Sequence, residues 1–349
     1  MPPSAGRGAA LEALLQRCWW QRRRTALAQV LRPLSWLYAA LAALHRAPWR
    51  WGLRQAERAP VPLLVVGNLI AGGAGKTPTV IAVVELLRAA GRRPGVVSRG
   101  YGRRGDGVLE VTAGAAAAEV GDEPLLIQRR TGAPVFVGRK RISAARALCA
   151  AHPEVDVLVS DDGLQHHAMA RDAQLIIFDE RGIGNGLRLP AGPLREALPA
   201  RLPPCTLVLY NAPSASTRLP GELASRRLGM ALPLADWRAG HQGGGVPLST
   251  FAGRRLLAVA GLAAPERFFT MLEAAGLMID RLPLSDHHDY AALPWPAGTA
   301  ELITTEKDAV KLAPDRLGAT RVWVVGLDFR IPEPLARQLL RCLEAQSPP

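Results

Sequence analysis

The sequence AGGAGKTP, Ala71 to Pro78, stands between an apolar run and a segment of helical length. The preceding run, VPLLVVGNL (residues 61–69), has the length and composition of a buried strand. The following segment, TPTVIAVVELLRAAG (77–91), is long enough for a helix and ends at a glycine. A glycine-rich loop between a strand and a helix is typical of a phosphate-binding loop, so this stretch predicts nucleotide binding.

The loop departs from the general pattern of phosphate loops because Ile70 stands where a first glycine is usual. The retained glycines would let backbone N–H groups turn toward phosphate oxygens. Lys76 would reach the outer phosphates, Thr77 would ligate magnesium, and Pro78 suits the first turn of a helix. The alternative is a chance glycine turn followed by Lys-Thr. The residues expected to contact the nucleotide are Gly72, Gly73, Ala74, Gly75, Lys76 and Thr77.

Strands and helices alternate after Pro60, which predicts an α/β fold with a mostly parallel sheet and helices on both faces. A Pro- and Ser-rich stretch near residue 215 precedes a second alternating set, whose first segment, 226–237, is expected to be a strand. We expect three parts: a basic N-terminal segment (1–58), a phosphate-loop core (59–214) and a smaller α/β lobe (215–349).

The first 58 residues, called the N-terminal segment below, hold ten arginines, no lysine, two acids and five of the eight tryptophans. Their apolar run LSWLYAALAAL (34–44) has eleven residues, whereas a membrane-spanning helix needs about 20. Flanking arginines and tryptophans favour a helix that lies in the membrane interface. A helix packed on its own domain, with its arginines in solvent, is the alternative.

The chain of 349 residues carries a net charge of +13, which indicates an anionic partner such as nucleic acid, anionic lipid or a phosphorylated substrate. Its four cysteines show no zinc-binding spacing, so we expect reduced thiols. The sequence shows no secretory signal pattern.

Two adjacent acids end the apolar run VDVLVSDD (155–162), and such a run is typical of the magnesium-handling strand of phosphate-loop enzymes. Asp161 and Asp162 would point to opposite faces of a strand, so one of them is expected to face the metal directly. The alternative is that both acids cap the following turn.

For two further groups of residues, the sequence pattern alone allows more than one role. GDEP (121–124) places two acids before a helix, where acidic side chains suit the positive end of the helix dipole. SDHHDY (285–290) combines His287 and His288 with acids, as in a metal site, a proton shuttle or a solvated loop.

Seven motifs of the chain together resemble one family. They occur in the order seen in the tetraacyldisaccharide 4′-kinases of lipid A synthesis: GNLIAGGAGKTP, SRGYGR, GDEP, SDDGLQHH, NGLRLPAGPLRE, SDHHDY and TTEKDAVK. The resemblance covers residues 61 to 311, and Ile70 matches that family's own version of the loop. It implies ATP- and magnesium-dependent transfer of the γ-phosphate to the 4′-hydroxyl of an acylated glucosamine disaccharide 1-phosphate.

The resemblance also implies roles for single residues. The family's catalytic acid–histidine pair maps onto Asp122 and a histidine of SDHHDY, for which we choose His287 over His288, and Lys76 completes the catalytic set. Magnesium would be handled by Thr77, Asp161 and Asp162. Contacts to nucleotide, phosphate or sugar are assigned to Gln165, Arg99, Arg195 and Glu196. With a lipid acceptor, we expect a monomeric, peripheral or monotopic enzyme on the cytoplasmic face of the inner membrane, without a nucleic-acid partner.

Two other classes of protein share some of these features. A membrane-associated regulatory ATPase also combines a deviant phosphate loop with an amphipathic helix, but its loop carries a lysine where this chain has Ala71. A nucleic-acid-binding protein would account for the net charge. The chain, however, shows no aromatic stacking motif, and its basic excess concentrates in the N-terminal segment.

Overall fold

The structure, a computed structural model, describes residues 14–21, 23–241 and 244–345. Residues 14–19 are helical. The helices that follow are α1 (Ala26–Arg50), α2 (Lys76–Ala89), α3 (Ala117–Val120), α4 (Asp122–Thr131), α5 (Arg141–Ala151), α6 (Leu234–Arg238), α7 (Pro265–Ala274), α8 (Glu306–Ala309) and α9 (Glu333–Glu344). The strands are β1 (Leu63–Gly67), β2 (Pro94–Ser98), β3 (Leu109–Glu110), β4 (Val135–Val137), β5 (Val157–Asp161), β6 (Ala173–Asp179), β7 (Thr206–Asn211), β8 (Glu222–Leu223), β9 (Ser225–Pro233), β10 (Arg255–Ala260), β11 (Met278–Pro283), β12 (Glu301–Thr305) and β13 (Arg321–Arg330).

The chain forms two compact units whose segments alternate along the sequence. The first unit consists of the residues up to Lys76, Val157–Ala224 and the residues from Ile331 onward. The second unit consists of Thr77–Asp156 and Ser225–Arg330. The division expected at residues 58 and 214 stays a prediction.

The first unit contains the strand that precedes the glycine-rich loop. Its strands lie in the order β5-β1-β6-β7-β8, and every neighbouring pair is parallel. β1 and β5 are buried along their whole length, as expected of parallel strands. Because parallel strands end at one edge of a sheet, the segments that follow β1, β5, β6 and β7 meet at the same edge.

The second unit carries two groups of strands. Three strands follow the order β3-β4-β2, in which β2 and β4 are parallel and β3 is antiparallel to β4. A five-stranded sheet has the order β11-β10-β12-β13-β9 and is parallel except for the pair β13 and β9. Its core is apolar and includes the fully buried rings of Phe251 and Phe269.

The expected α/β fold is confirmed, with two local differences. The segment 226–237 is not a strand throughout, because α6 begins at Leu234. β11 is not indicated by the apolar pattern, since every residue of this edge strand is exposed or half-buried.

The N-terminal helix is longer than the eleven-residue apolar run suggests. α1 spans 25 residues, continues through Pro33 and Pro48, and begins where the Thr25 hydroxyl accepts a hydrogen bond from the backbone N–H of Ala28. Residues 26–49 are long and apolar enough to cross a membrane by length and composition, which alone is weak evidence for a span. The apolar run 34–44 is thus part of a longer helix, and the placement of that helix in the membrane interface stays a prediction.

Candidate active site

Backbone contacts with residues 193 and 194 hold the start of the glycine-rich loop in place. Ile70 is fully buried and pairs in antiparallel fashion with Leu194, and the backbone N–H of Ala71 donates to the carbonyl of Pro193 at 2.7 Å. An extended, paired residue at position 70 does not need the freedom of glycine. Ile70 thus stands in place of the usual glycine because this position pairs with the PLRE segment (residues 193–196).

Three successive carbonyl groups of the loop accept hydrogen bonds from side chains at the ends of three different strands. Asn68 Nδ2 donates to Gly72 O at 2.9 Å, and Arg181 Nη2 donates to Gly73 O at 2.6 Å. Asn211 Nδ2 donates to Ala74 O at 3.2 Å.

These three contacts orient the donors of the loop. In a planar trans peptide the N–H points opposite to the preceding C=O. Holding the carbonyls of residues 72, 73 and 74 therefore turns the N–H groups of residues 73, 74 and 75 to the other side. A row of backbone N–H groups on one side is the arrangement that binds phosphate oxygens.

The position of Gly75 tolerates no side chain. Its φ of +93° lies in the region that favours glycine, and a Cβ there would lie 2.4 Å from Asn211 Nδ2. The closeness of the Asn211 amide to the loop thus explains why the residue before Lys76 is glycine.

The predicted residues Lys76, Asp162, Arg195 and Gln165 come together beside the loop. Lys76 Nζ lies 3.8 Å from Asp162 Oδ2, and Arg195 Nη1 lies 3.2 Å from Asp162 Oδ1. Arg195 Nη1 also lies 3.4 Å from Gln165 Oε1. One carboxylate therefore lies between two cations at the edge where a nucleotide phosphate would bind.

Asp161 and Thr77 are both buried, at the end of β5 and in the first turn of α2. Asp161 and Asp162, both in the first unit, supply two carboxylates, which are oxygen donors that magnesium prefers. No group of three or more His, Cys, Asp or Glu side chains that could hold a metal occurs in the described part of the chain. This donor set fits magnesium, which is usually held by one or two carboxylates together with water and phosphate oxygens.

The other two predicted contact residues have different surroundings. Glu196 Oε2 pairs with Arg46 Nη1 of α1 at 2.7 Å, which joins the PLRE segment to the N-terminal helix. Arg99 is exposed directly after β2, in the second unit.

In the second unit, the structure pairs Asp122 with His287. His287 Nδ1 lies 2.8 Å from Asp122 Oδ2. His288 instead accepts a hydrogen bond at Nδ1 from the backbone N–H of Tyr290. Of the two histidines that the sequence offers, His287 is thus the one in contact with the acid.

Asp122 is presented by the start of α4. The preceding Gly121 has φ +96°, and a Cβ there would lie 3.2 Å from the carbonyl of Tyr101. Asp122 itself is buried, and its Oδ1 accepts the N–H of Glu123 in the first turn of the helix. The glycine of GDEP therefore makes the turn that buries the carboxylate at a helix N-terminus, where negative charge is favoured.

Charge–charge contacts keep this buried carboxylate ionised. Burial alone would raise the pKa of Asp122, but the hydrogen bond with His287 and the charges of Lys307, His287 and Lys311 lower the pKa below its usual value. The hydrogen bond to Asp122 in turn raises the pKa of His287, against burial and the nearby Lys307. The pair is thus an ionised carboxylate next to a histidine that readily holds a proton.

Lys307 and Lys311 of TTEKDAVK surround the pair, and the sequence did not single them out. Lys307 Nζ lies 3.2 Å from Glu123 Oε1 and 3.0 Å from Asp286 Oδ1. Lys311 Nζ lies 3.9 Å from Asp122 Oδ2 and 3.2 Å from the fully buried Asp308. The available signal was the spacing of two lysines four residues apart, the first in α8 and the second in the turn that follows it.

Comparison with known proteins identifies relatives along almost the whole chain. The family model described as tetraacyldisaccharide-1-P 4′-kinase matches residues 27–344. The tetraacyldisaccharide 4′-kinase of Methylibium petroleiphilum is 52% identical over 338 residues, which cover 95% of this chain and 94% of the relative. That of Leptothrix cholodnii is 49% identical and covers 99% of both chains.

A solved structure shares the fold. The crystal structure of LpxK from Aquifex aeolicus in complex with ATP matches with a TM-score of 0.73 and 25% sequence identity. The match covers 91% of this chain and 99% of that chain.

Proposed function

The chain belongs to the tetraacyldisaccharide-1-P 4′-kinase family, and from this premise we propose that it transfers the γ-phosphate of ATP to the 4′-hydroxyl of an acylated glucosamine disaccharide 1-phosphate. The predicted family and enzyme class are confirmed, as are ATP and magnesium as cofactors. Beyond the family match, the observation that carries the proposal is the 2.8 Å contact between His287 Nδ1 and the buried Asp122.

The acid–histidine pair suits the acceptor half of the reaction. A sugar hydroxyl is a poor nucleophile and loses its proton as it attacks phosphorus, so a positioned base lowers the barrier. We assign this role to Asp122, whose lowered pKa keeps it ionised at neutral pH. His287 holds the carboxylate in place and stabilises its charge.

The glycine-rich loop and its neighbours suit the donor half. The oriented N–H groups of residues 73–75 bind phosphate oxygens, and Lys76 neutralises charge on the transferred group. We assign Thr77, Asp161 and Asp162 to magnesium, which when bound neutralises phosphate charge. Gln165 and Arg195 are assigned to the nucleotide or substrate phosphate, and Arg99 and Glu196 to the acceptor.

One assay separates this function from the rival classes. Labelled ATP and magnesium are incubated with the protein and the acylated disaccharide 1-phosphate, and lipid products are separated by chromatography. We expect labelled phosphate on the lipid, in a form released by a phosphatase. Absence of labelled lipid, with ATP hydrolysis that instead responds to a protein or a nucleic acid, would overturn the kinase assignment.

We further propose that α1 binds the cytoplasmic face of the inner membrane. Five large apolar side chains, spaced at alternating steps of four and three residues, are 52% to 75% exposed: Val30, Leu34, Leu37, Leu41 and Leu44. This spacing forms one stripe along a helix. The opposite side faces the first unit, where the Ser35 hydroxyl donates to the carbonyl of Arg188. A helix with no acidic residue and an outward apolar stripe suits an anionic lipid surface.

Replacing Leu37 and Leu41 together by glutamate is expected to lower binding to anionic phospholipid vesicles more than about tenfold, because two leucines leave the acyl region and two charges repel the surface. Vesicle flotation measures the bound fraction. Met278→Glu, an exposed apolar residue of β11, is the matched control and should float like the unaltered protein. Equal flotation of all three proteins would contradict the assignment of the stripe. Monomeric state and absence of a nucleic-acid partner stay predictions.

A further inference from the structure

Arg181, which follows β6 by two residues, is fixed at the strand edge by a fully buried acid. Its Nε lies 2.9 Å and its Nη2 lies 2.6 Å from Asp179 Oδ2, while its backbone N–H donates to Asp179 Oδ1 at 2.9 Å. Asp179 is the last residue of β6 and has no exposed surface. A guanidinium held in this way has one orientation rather than many, because its planar fork matches the carboxylate.

The same guanidinium reaches the phosphate loop. Arg181 Nη2 donates to the carbonyl of Gly73 at 2.6 Å. This contact sets the plane of the peptide that joins Gly73 to Ala74, and so the direction of the Ala74 N–H. Arg181 thus orients the Ala74 N–H, one of the groups that would bind phosphate. Its own hydrogen bond is to the Gly73 carbonyl, which points to the other side of the loop.

The outer face of the guanidinium is covered by the N-terminal segment. The ring of Trp20 lies 4.1 Å from Arg181 Cζ, within the range of a cation–π interaction. Five further arginine side chains in the first 58 residues and elsewhere lie over rings at longer distances, for example Arg32 over Trp36 at 5.5 Å. Trp20 therefore makes the closest such contact among the described residues.

Neighbouring contacts hold Trp20 in place. Trp19 Nε1 donates to the carbonyl of Pro190 at 2.7 Å, and the backbone N–H of Asn185 donates to the carbonyl of Trp19 at 2.8 Å. Gly184 has φ +55°, and a Cβ there would lie 2.3 Å from the carbonyl of Trp19. The backbone of the N-terminal segment at Trp19 therefore packs closely against residues 184 and 185, which follow Arg181.

We propose that Arg181 is a positioning residue of the phosphate loop and that Trp20 holds it there, so that the N-terminal segment contributes to nucleotide affinity. The proposal goes beyond the kinase reaction but rests on the nucleotide binding that the proposed function assigns to the loop. The Asp179 carboxylate and the Trp20 ring both hold the Arg181 guanidinium, which donates a hydrogen bond to the Gly73 carbonyl. Loss of the ring exposes one face of the guanidinium to water, which weakens its hydrogen bond to the Gly73 carbonyl, and the direction of the Ala74 N–H is then held less firmly.

Nucleotide affinity tests this directly, without the lipid acceptor. The dissociation constant of a non-hydrolysable ATP analogue with magnesium is measured by calorimetry for Trp20→Leu, Arg181→Ala and the double variant. We expect about fivefold weaker binding for Trp20→Leu and more than about tenfold for Arg181→Ala. The double variant should bind like Arg181→Ala alone, because the ring acts only through the guanidinium.

Two further variants distinguish positioning from general damage. Trp20→Phe keeps a ring over the cation and should restore most of the affinity lost in Trp20→Leu. Trp51→Leu removes an exposed tryptophan of the same segment and should leave the affinity unchanged. The KM for the lipid acceptor should also stay unchanged in Trp20→Leu.

Additive losses in the double variant, or equal affinities for Trp20→Leu and the unaltered protein, would overturn the proposal. A lower unfolding temperature in Trp20→Leu that Trp20→Phe does not correct would overturn it as well. If the unaltered protein binds the analogue but transfers no phosphate to the lipid, the proposed function fails while this inference stands.

Discussion

Replacing Asp122 by asparagine is expected to lower kcat for phosphate transfer about 10³-fold, while the affinity for an ATP analogue changes less than about twofold. The amide is nearly isosteric with the carboxylate but cannot accept the hydroxyl proton at neutral pH. The kcat and the dissociation constant of the analogue are measured separately, by the lipid assay and by calorimetry. Since Asp122 is assigned to the acceptor hydroxyl and not to the nucleotide, nucleotide binding should not depend on it.

A matched control is available one short helix earlier in the chain. Glu119→Gln also removes one negative charge, from an exposed acid in the first turn of α3, and should leave kcat within about twofold of the unaltered protein. Equal losses of kcat and nucleotide affinity in Asp122→Asn would reassign Asp122 from proton transfer to binding.

The pH profile reports the partner of Asp122. Burial raises the pKa of Asp122 and the hydrogen bond from His287 lowers it, so removing the donor leaves the effect of burial less opposed. In His287→Gln the acid limb of kcat should therefore move to higher pH. An unchanged acid limb would show that His287 does not set the ionisation of Asp122.

The sequence alone could predict the parts of the site that lie within short motifs. The loop around Lys76, the acids that end β5, and Asp122 before α4 each sit at a strand end or a helix start that the local pattern indicates. The choice between His287 and His288 could not be made from SDHHDY, because it depends on how the loop turns toward α4. That turn is set by tertiary contacts such as those of Lys307 with Glu123 and Asp286.

The side chains behind the glycine-rich loop were missed for a related reason. Asn68, Arg181 and Asn211 lie far apart in the chain, and only the parallel order of β1, β6 and β7 brings them to the same carbonyl row. A usable signal existed, since each lies at or just after the end of an apolar strand, where ligand-binding residues of parallel sheets concentrate. The apolar run 34–44 did not indicate the full length of α1, which continues through Pro33 and Pro48.

Replacing Lys76 by methionine is expected to lower kcat/KM for ATP by about 10²- to 10³-fold, as for other single groups that stabilise charge in a transition state. Methionine keeps an unbranched apolar side chain as far as Cε and removes the ammonium group, which in Lys76 lies 3.8 Å from Asp162. Folding should be preserved, because Asp162 retains Arg195 at 3.2 Å, and the unfolding temperature measures this.

The decisive comparison for Lys76 is with another lysine of the same chain. Lys140 is an exposed residue of the second unit beside the start of α5, so Lys140→Met removes the same charge outside the loop sequence and should leave kcat/KM for ATP unchanged. The loss in Lys76→Met should appear in kcat as well as in KM, because charge on the transferred phosphoryl group develops in the transition state. A rise in KM with unchanged kcat would mean that Lys76 only binds ATP. In that case the charge on the transferred group would have to be stabilised by other cations. Arg195, which like Lys76 is paired with the Asp162 carboxylate, would then be the first residue to mutate.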